Sequence, residues 1–201
     1  MLKVVPNCKR SVSMLVIGDC IVDHYSYGVA AKLSPEAPVP VVSVSREDTK
    51  LGGAANVALN CQALGARVTF LTLVGDDKWG AWVKDALALQ KVSVDGLLVS
   101  NTRKTTVKSR IVTNNQQVVR LDSEDSHALN SHELDLLIKA FSVAVEHVDC
   151  IIISDYAKGV VSTEFVRHVI QVAKNRDKKV LVDPKGADFS KVSRKTGAMK
   201  S

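Results

Sequence analysis

The run Gly52-Gly53-Ala54-Ala55-Asn56-Val57-Ala58, followed by Gly65 and then Gly75, constrains this chain more than any other stretch. Adjacent glycines permit a tight turn and a close backbone approach, because no Cβ stands in the way. An apolar helix follows over 56–64, with Asn56 in its first turn, and it stops at Gly65. The apolar run 68–74 then reads as a buried strand that ends at Gly75. The exposed amides at such a helix start favour polar or anionic groups.

The rest of the chain repeats this alternation. Residues 14–18 and 150–154 (Cys-Ile-Ile-Ile-Ser) read as short buried strands, and 180–182 as a third, ending at Asp183-Pro184. Helical periodicity runs over 78–89, with Trp79, Trp82, Val83, Ala86 and Leu87 on one face. It recurs from Ser131, the expected cap, through Leu134, Leu137, Ile138, Phe141 and Val145, and again over 163–174. Segments 39–44, 94–99, 105–112 and 116–121 are β-like, the last two pairing across Thr113-Asn114-Asn115. Pro38 and Pro40 place 39–44 at a sheet edge, since proline cannot donate to a central ladder. The expected fold class is α/β, a doubly wound, mostly parallel sheet with a small β-rich lid from segments near 24–45 and 103–122.

Charge narrows the function classes. The net charge is +6, but residues 1–10 and 190–201 carry seven cations and no acid. Removing those leaves −1 for residues 11–189, so a nucleic-acid surface on the folded body is not expected. No apolar run is long enough to span a bilayer and no secretory h-region opens the chain, so a cytoplasmic protein without a membrane partner is expected. Cys8, Cys20, Cys61 and Cys150 show no metal-ligand spacing and read as reduced thiols. The five histidines suggest neither a triad nor a metal site.

In a doubly wound sheet, ligands bind beyond the carboxyl ends of the strands. The residues there are Asp19 and Asp23, Gly75-Asp76, Asp155 to Gly159, and Asp183 to Gly186. A lone aspartate after a strand is ordinarily a turn or helix cap, and a lone asparagine at a helix start is ordinarily a capping residue. Gathered on one rim, they point to a site. Asp19, Asp23, Gly53, Asn56 and Asp155 are the polar candidates for binding a substrate. Lys108, Arg110, Arg120, Lys158 and Lys185 are the cations available to an anionic group, arginine by two parallel hydrogen bonds and lysine as a compact charge. Arg110 and Arg120 face each other across the expected hairpin.

The spacing from Gly52 through Gly75 fits the first signature pattern of the ribokinase-like (PfkB-type) carbohydrate kinases. Three further runs narrow the resemblance: Ser34-Pro-Glu-Ala-Pro-Val-Pro-Val41, Asn115-Gln-Gln-Val-Val-Arg-Leu-Asp122, and Ser154-Asp-Tyr-Ala-Lys-Gly159 with Asp183-Pro-Lys-Gly186. Together they resemble the kinase domain of bacterial heptose 7-phosphate kinases, often one half of a bifunctional enzyme whose other half is an adenylyltransferase. The resemblance covers residues 12–190, between a basic segment 1–11 and a divergent polar tail 191–201.

That resemblance implies ATP-dependent phosphorylation of D-glycero-D-manno-heptose 7-phosphate at its anomeric hydroxyl, on the route to ADP-heptose and the lipopolysaccharide core. It implies that Asp23, Gly53 and Asn56 grip the sugar and the cations hold its phosphate. ATP and Mg2+ are the cofactors expected of the complete family enzyme. The family's second pattern, a glycine-rich anion hole with the catalytic aspartate, has no match in this sequence. The fold is therefore expected to be truncated, the catalytic base absent, and the chain inactive alone, with the 180–182 strand and one sheet edge left unpaired. The implied partners are a sugar phosphate, a second copy through the lid sheet, or a complementing C-terminal half. A kinase for another sugar, or a non-catalytic remnant or split-enzyme subunit that binds sugar phosphate, are the alternatives.

Overall fold

The structure, a computed structural model, describes residues 11–185. Nine strands and four α-helices follow the chain in the order β1 (Ser13–Gly18), β2 (Cys20–Leu33), β3 (Pro40–Gly53), α1 (Ala54–Ala63), β4 (Arg67–Gly75), α2 (Lys78–Leu89) and β5 (Leu97–Ser100). Then come β6 (Val107–Thr113), β7 (Gln116–Ser123), α3 (Ser131–Ala144) with a 3-10 turn behind it, β8 (Cys150–Ser154), α4 (Thr163–Asn175) and β9 (Lys179–Asp183).

Five strands form a parallel sheet in the order β5-β4-β1-β8-β9. Successive side chains on a strand face opposite ways, and both faces of this sheet are covered. Leu15, Ile17, Leu71, Leu73, Ile151 and Ile153 pack on one side against Leu137 and Phe141 of α3 and Phe165, Val166 and Val169 of α4. Val16, Val68, Phe70 and Val74 pack on the other against Ala54, Ala55 and Ala58 of α1 and Val83 and Leu87 of α2. This is the doubly wound arrangement expected from the alternation of strands and helices. The apolar face read over 78–89 is also present, with Val83 and Leu87 buried and Trp79, Trp82 and Ala86 packed beside them.

The second sheet has four strands in the order β3-β2-β6-β7. Its central strand, β2, was not expected. Only Asp19 separates β2 from β1, so Cys20-Ile21-Val22 reads in sequence as the tail of the first strand rather than the start of another. β3 likewise runs on from the expected 39–44 segment to Gly53, so the glycine pair ends a strand and opens a helix without a loop between them. Because β2 lies between β3 and β6, segments 39–44 and 105–121 do not pair with each other. The β6–β7 hairpin turns at Asn114 and Asn115, both with positive φ (49° and 62°), as its two-residue turn requires. Pro40 opens β3, an edge strand.

Two local expectations are corrected. The cap of α3 is Asn130, one residue before Ser131: its side chain accepts from the Glu133 amide while Glu133 accepts from the Asn130 amide, a reciprocal capping box. The 180–182 strand is not unpaired. As β9 it pairs with β8 from Lys179 to Asp183, and only its outer edge lacks a neighbouring strand among the described residues. Gly186 and the polar tail lie outside the described residues.

Candidate functional site

A cavity of about 740 Å³ opens between the two sheets, at the carboxyl ends of the parallel strands. One wall is the Gly52-Gly53 turn with Asn56 of α1; another is the loop after β8, carrying Tyr156 and Lys158; Lys185 follows β9. The face of the four-stranded sheet supplies the rest.

The register of that sheet explains which side chains arrive. Lys50, Asp23, Lys108 and Asp122 stand in one rung across β3, β2, β6 and β7. Asp48, Tyr25, Arg110 and Arg120 form the rung two residues further along, hence on the same face. Arg110 and Arg120 are directly opposed, an arrangement that costs stability unless each has an anion. Each has one. Arg110 Nη1 donates to Asp23 Oδ1 at 2.6 Å, and Arg120 Nε to Asp122 Oδ1 at 2.9 Å. Burial opposes the Arg110 charge, but the Asp23 hydrogen bond and charge outweigh it and raise its pKa. Lys108 donates to Asp122 at 3.1 Å and to Glu124 at 3.4 Å, and Lys158 donates to the other Glu124 oxygen at 2.6 Å. The hydrogen bond from Lys158, with the Lys108 charge, holds the Glu124 carboxyl below its ordinary range. Glu124 therefore ties the four-stranded sheet to the loop of the parallel one.

The glycines act as the sequence implies. A Cβ at position 52 would sit 2.1 Å from Asp23 Oδ2, so only glycine lets this carboxylate lie against the backbone. Gly53 has φ +58°, and a Cβ there would meet the Asp19 carbonyl oxygen at 2.5 Å. Asn56, in the first turn of α1, is exposed at the cavity edge.

The ten candidate residues divide. Asp23, Gly53, Asn56, Lys108, Arg110, Arg120, Lys158 and Lys185 line the one cavity. Asp19 and Asp155 do not. Asp19 is only 1% exposed, and its carboxylate accepts the Tyr156, Lys158 and Val160 amides. Burial raises its pKa and those three bonds act against the rise. Asp155 is buried too and folds back on its own loop, accepting from the Ala157 amide at 2.8 Å. Tyr25, Lys50, Asp122, Glu124 and Tyr156 also line the cavity and were not singled out from sequence. Tyr25 lies two residues beyond Asp23 on the same face of β2, a relation that becomes visible only with the strand itself.

Six cationic side chains against three carboxylates give the cavity lining an excess of positive charge. Asp23 Oδ2 and the Asn56 amide add neutral-ligand acceptors and donors beside the Gly52-Gly53 pair. Among the described residues, no group of three or more His, Cys, Asp or Glu side chains is placed to hold a metal ion, and no helix is long and apolar enough to cross a membrane.

Comparisons with known proteins bear on the fold and the family. The fold resembles Arabidopsis thaliana ribokinase complexed with ribose and ATP (TM-score 0.59, 16% identity), covering 87% of this chain and 54% of that one. It also resembles Escherichia coli phosphofructokinase-2 in complex with fructose-6-phosphate (TM-score 0.64, 19% identity), covering 90% of this chain and 57% of the other. Identities this low show the fold alone. Closer in sequence are the bifunctional HldE proteins of Helicobacter hepaticus and Helicobacter pylori, each 44% identical over 90% of this chain. The chain spans 38% and 39% of the length of those two relatives. Residues 12–199 match the pfkB family of carbohydrate kinases, and with the glycine turn, the two-sheet fold and the cationic cavity in agreement, the chain belongs to that family.

Proposed function

We propose that this chain is the sugar-binding part of a carbohydrate kinase that phosphorylates D-glycero-D-manno-heptose 7-phosphate at the anomeric hydroxyl with ATP. The observation that carries the reading is the polarity of the cavity between the two sheets. Asp23 and Asn56 stand by the glycine pair, and Lys108, Arg110, Arg120, Lys158 and Lys185 line the same cavity. An unphosphorylated sugar has no use for that excess of cations. The similarity to HldE proteins supports heptose as the sugar.

In this reading Asp23 and Asn56 orient the hydroxyls. Asp23 is suited because Oδ1 is held by Arg110, which leaves Oδ2 to accept a hydroxyl in a fixed direction. Arg120 and Lys158 take the phosphate, exchanging Asp122 and Glu124 for it, while Arg110 stays on Asp23. When bound, ATP and Mg2+ supply the phosphoryl group and screen its charge. In this reading the part of the residues described here is binding and orientation, and the base for that step comes from the remainder of the complete family enzyme. Two sheet edges bear on partners. The outer edge of β9, where Leu181 is 65% exposed, is where a complementing segment would add a strand. The uncovered β7 is where a second copy would pack, and we place the protein in the cytoplasm.

Calorimetric titration of the chain, without nucleotide, tests the reading. Heptose 7-phosphate should bind, more weakly as salt rises, while the unphosphorylated heptose should bind at least tenfold more weakly (about 1.4 kcal/mol). Equal affinity for the two sugars would contradict it.

A further inference from the structure

The loop after β8 is wound around a carboxylate that the cavity never sees. Tyr156 and Lys158 amides donate to Asp19 Oδ2 at 2.9 and 3.2 Å, and the Val160 amide donates to Oδ1 at 3.0 Å. The intervening residues, Ala157 (φ +56°) and Gly159 (φ +102°), are both left-handed. Alternating backbone handedness turns amides toward one side and forms a concavity that binds an anion. Here the anion is a side chain of the protein itself. For alanine the left-handed conformation is unfavourable, so something must hold it there. Gly159 admits no substitute, since a Cβ would lie 2.6 Å from the His127 carbonyl oxygen.

Asp19 reaches the opposite wall as well. Its carbonyl accepts the Ala54 amide at 3.0 Å, at the start of α1, directly behind the Gly52-Gly53 turn. One residue thus touches both sides of the cavity from below. The side chains that its loop presents, Tyr156 and Lys158, line the cavity. A second support meets the loop from the far side: Arg103 Nη1 donates to the Lys158 carbonyl at 3.3 Å while its other nitrogens are held by buried Glu133.

We infer that Asp19 is a positioning residue: its buried carboxylate fixes the 155–160 loop so that Lys158 and Tyr156 face the anionic group of the ligand. This rests on the proposed function for the identity of that group, but the positioning itself does not depend on it. Asp19 touches no ligand and acts through Lys158.

The test uses the full chain and inorganic phosphate as probe. Asp19→Asn keeps the shape but replaces one acceptor oxygen by a donor amide. Phosphate affinity should fall about tenfold in Asp19→Asn and about tenfold in Lys158→Met, and the double variant should be no weaker than Lys158→Met alone, as residues acting as one unit require. Additive losses, or unchanged affinity in Asp19→Asn, would overturn the inference. Hydrogen exchange on the unmodified chain covers the case in which Asp19→Asn does not fold. The Lys158 and Val160 amides should exchange far more slowly than the same amides in an unstructured peptide of this sequence. Exchange at the rate of an open loop would overturn the inference equally. If the unmodified chain binds neither phosphate nor heptose 7-phosphate, the proposed function fails, and the exchange rates still decide the role of Asp19.

Discussion

The five-stranded sheet carries helices on both faces, whereas β7 of the four-stranded sheet is exposed along its whole length. The first is held by burial: Leu15, Val16, Phe70, Leu71 and Ile151 are fully enclosed. The second is held across its face by charge and rings. Ion pairs join Asp23 to Arg110 and Lys108 to Asp122, and Tyr25 and Tyr27 stack with Arg110 and Arg46 above them. Pairs that partly face water contribute little to stability. They remain available to exchange one anion for another. The contrast separates scaffold from site: one sheet fixes where the cavity lies, and the other supplies most of the side chains that fill it.

The sharpest way to break the comparison is to truncate the buried side. Phe141, fully enclosed and packed edge-on against Phe165, should cost about 3–5 kcal/mol as Phe141→Ala, seen as a lower denaturant midpoint. A loss of the size seen for β7 substitutions would mean that the two sheets are not held differently.

Next is the buried pair Arg103–Glu133, each side chain 3% exposed, which joins α3 to the end of β5. Glu133→Gln leaves the guanidinium without its charge partner and should cost about 3 kcal/mol. It should also change the acid response. Burial disfavours the Glu133 carboxylate, but the hydrogen bonds from Arg103, Ser100 and the Asn130 amide prevail and bring its pKa down to about 2 from an ordinary 4.5. A depressed folded-state pKa gives stability that is present above 4.5 and is lost as pH falls from there toward 2. Denaturant titrations between pH 5 and 2.5 should show a shallower decline in the variant. Parallel declines would contradict the assignment.

Phe141 falls on a part that is plain in the sequence, whereas the Arg103–Glu133 pair joins segments that no sequence pattern connects. Continuous apolar runs such as Cys150-Ile-Ile-Ile-Ser154 announce buried strands, and Phe141 falls at helical spacing with Leu134, Leu137 and Ile138. The second sheet was half legible. β2 contains His24, Ser26, Gly28 and Lys32, is only partly buried beyond Val22, and follows β1 with one residue between, so neither period nor turn marks it. Without β2 the rungs that gather Asp23, Tyr25, Lys108 and Arg110 are invisible, although the cations themselves were identified. Asp19 shows the converse. Its place beyond a strand end marks it as functional, but only coordinates reveal that three amides already occupy its oxygens.

Smaller effects sharpen the site. Asn56→Ala, at an exposed position of α1, should weaken heptose 7-phosphate binding about tenfold, on the order of 1–2 kcal/mol for a lost hydrogen-bond partner, while leaving the unfolding midpoint in place. A matching fall in both would reduce Asn56 to a structural role. Smallest of all is Val119→Ala on β7, which should alter stability by less than about 0.5 kcal/mol in the monomer. A larger, concentration-dependent change would reveal that β7 is covered by a second copy.

The most direct measurement is a calorimetric matrix of three ligands, heptose 7-phosphate, unphosphorylated heptose and inorganic phosphate, against the unmodified chain, Asn56→Ala and Lys158→Met. The predicted result is a double dissociation: Asn56→Ala loses affinity for both sugars and keeps phosphate, while Lys158→Met loses affinity for phosphate and the sugar phosphate and keeps what little binding the plain sugar has. Equal losses for all three ligands in both variants would contradict a cavity with a sugar end and a phosphate end.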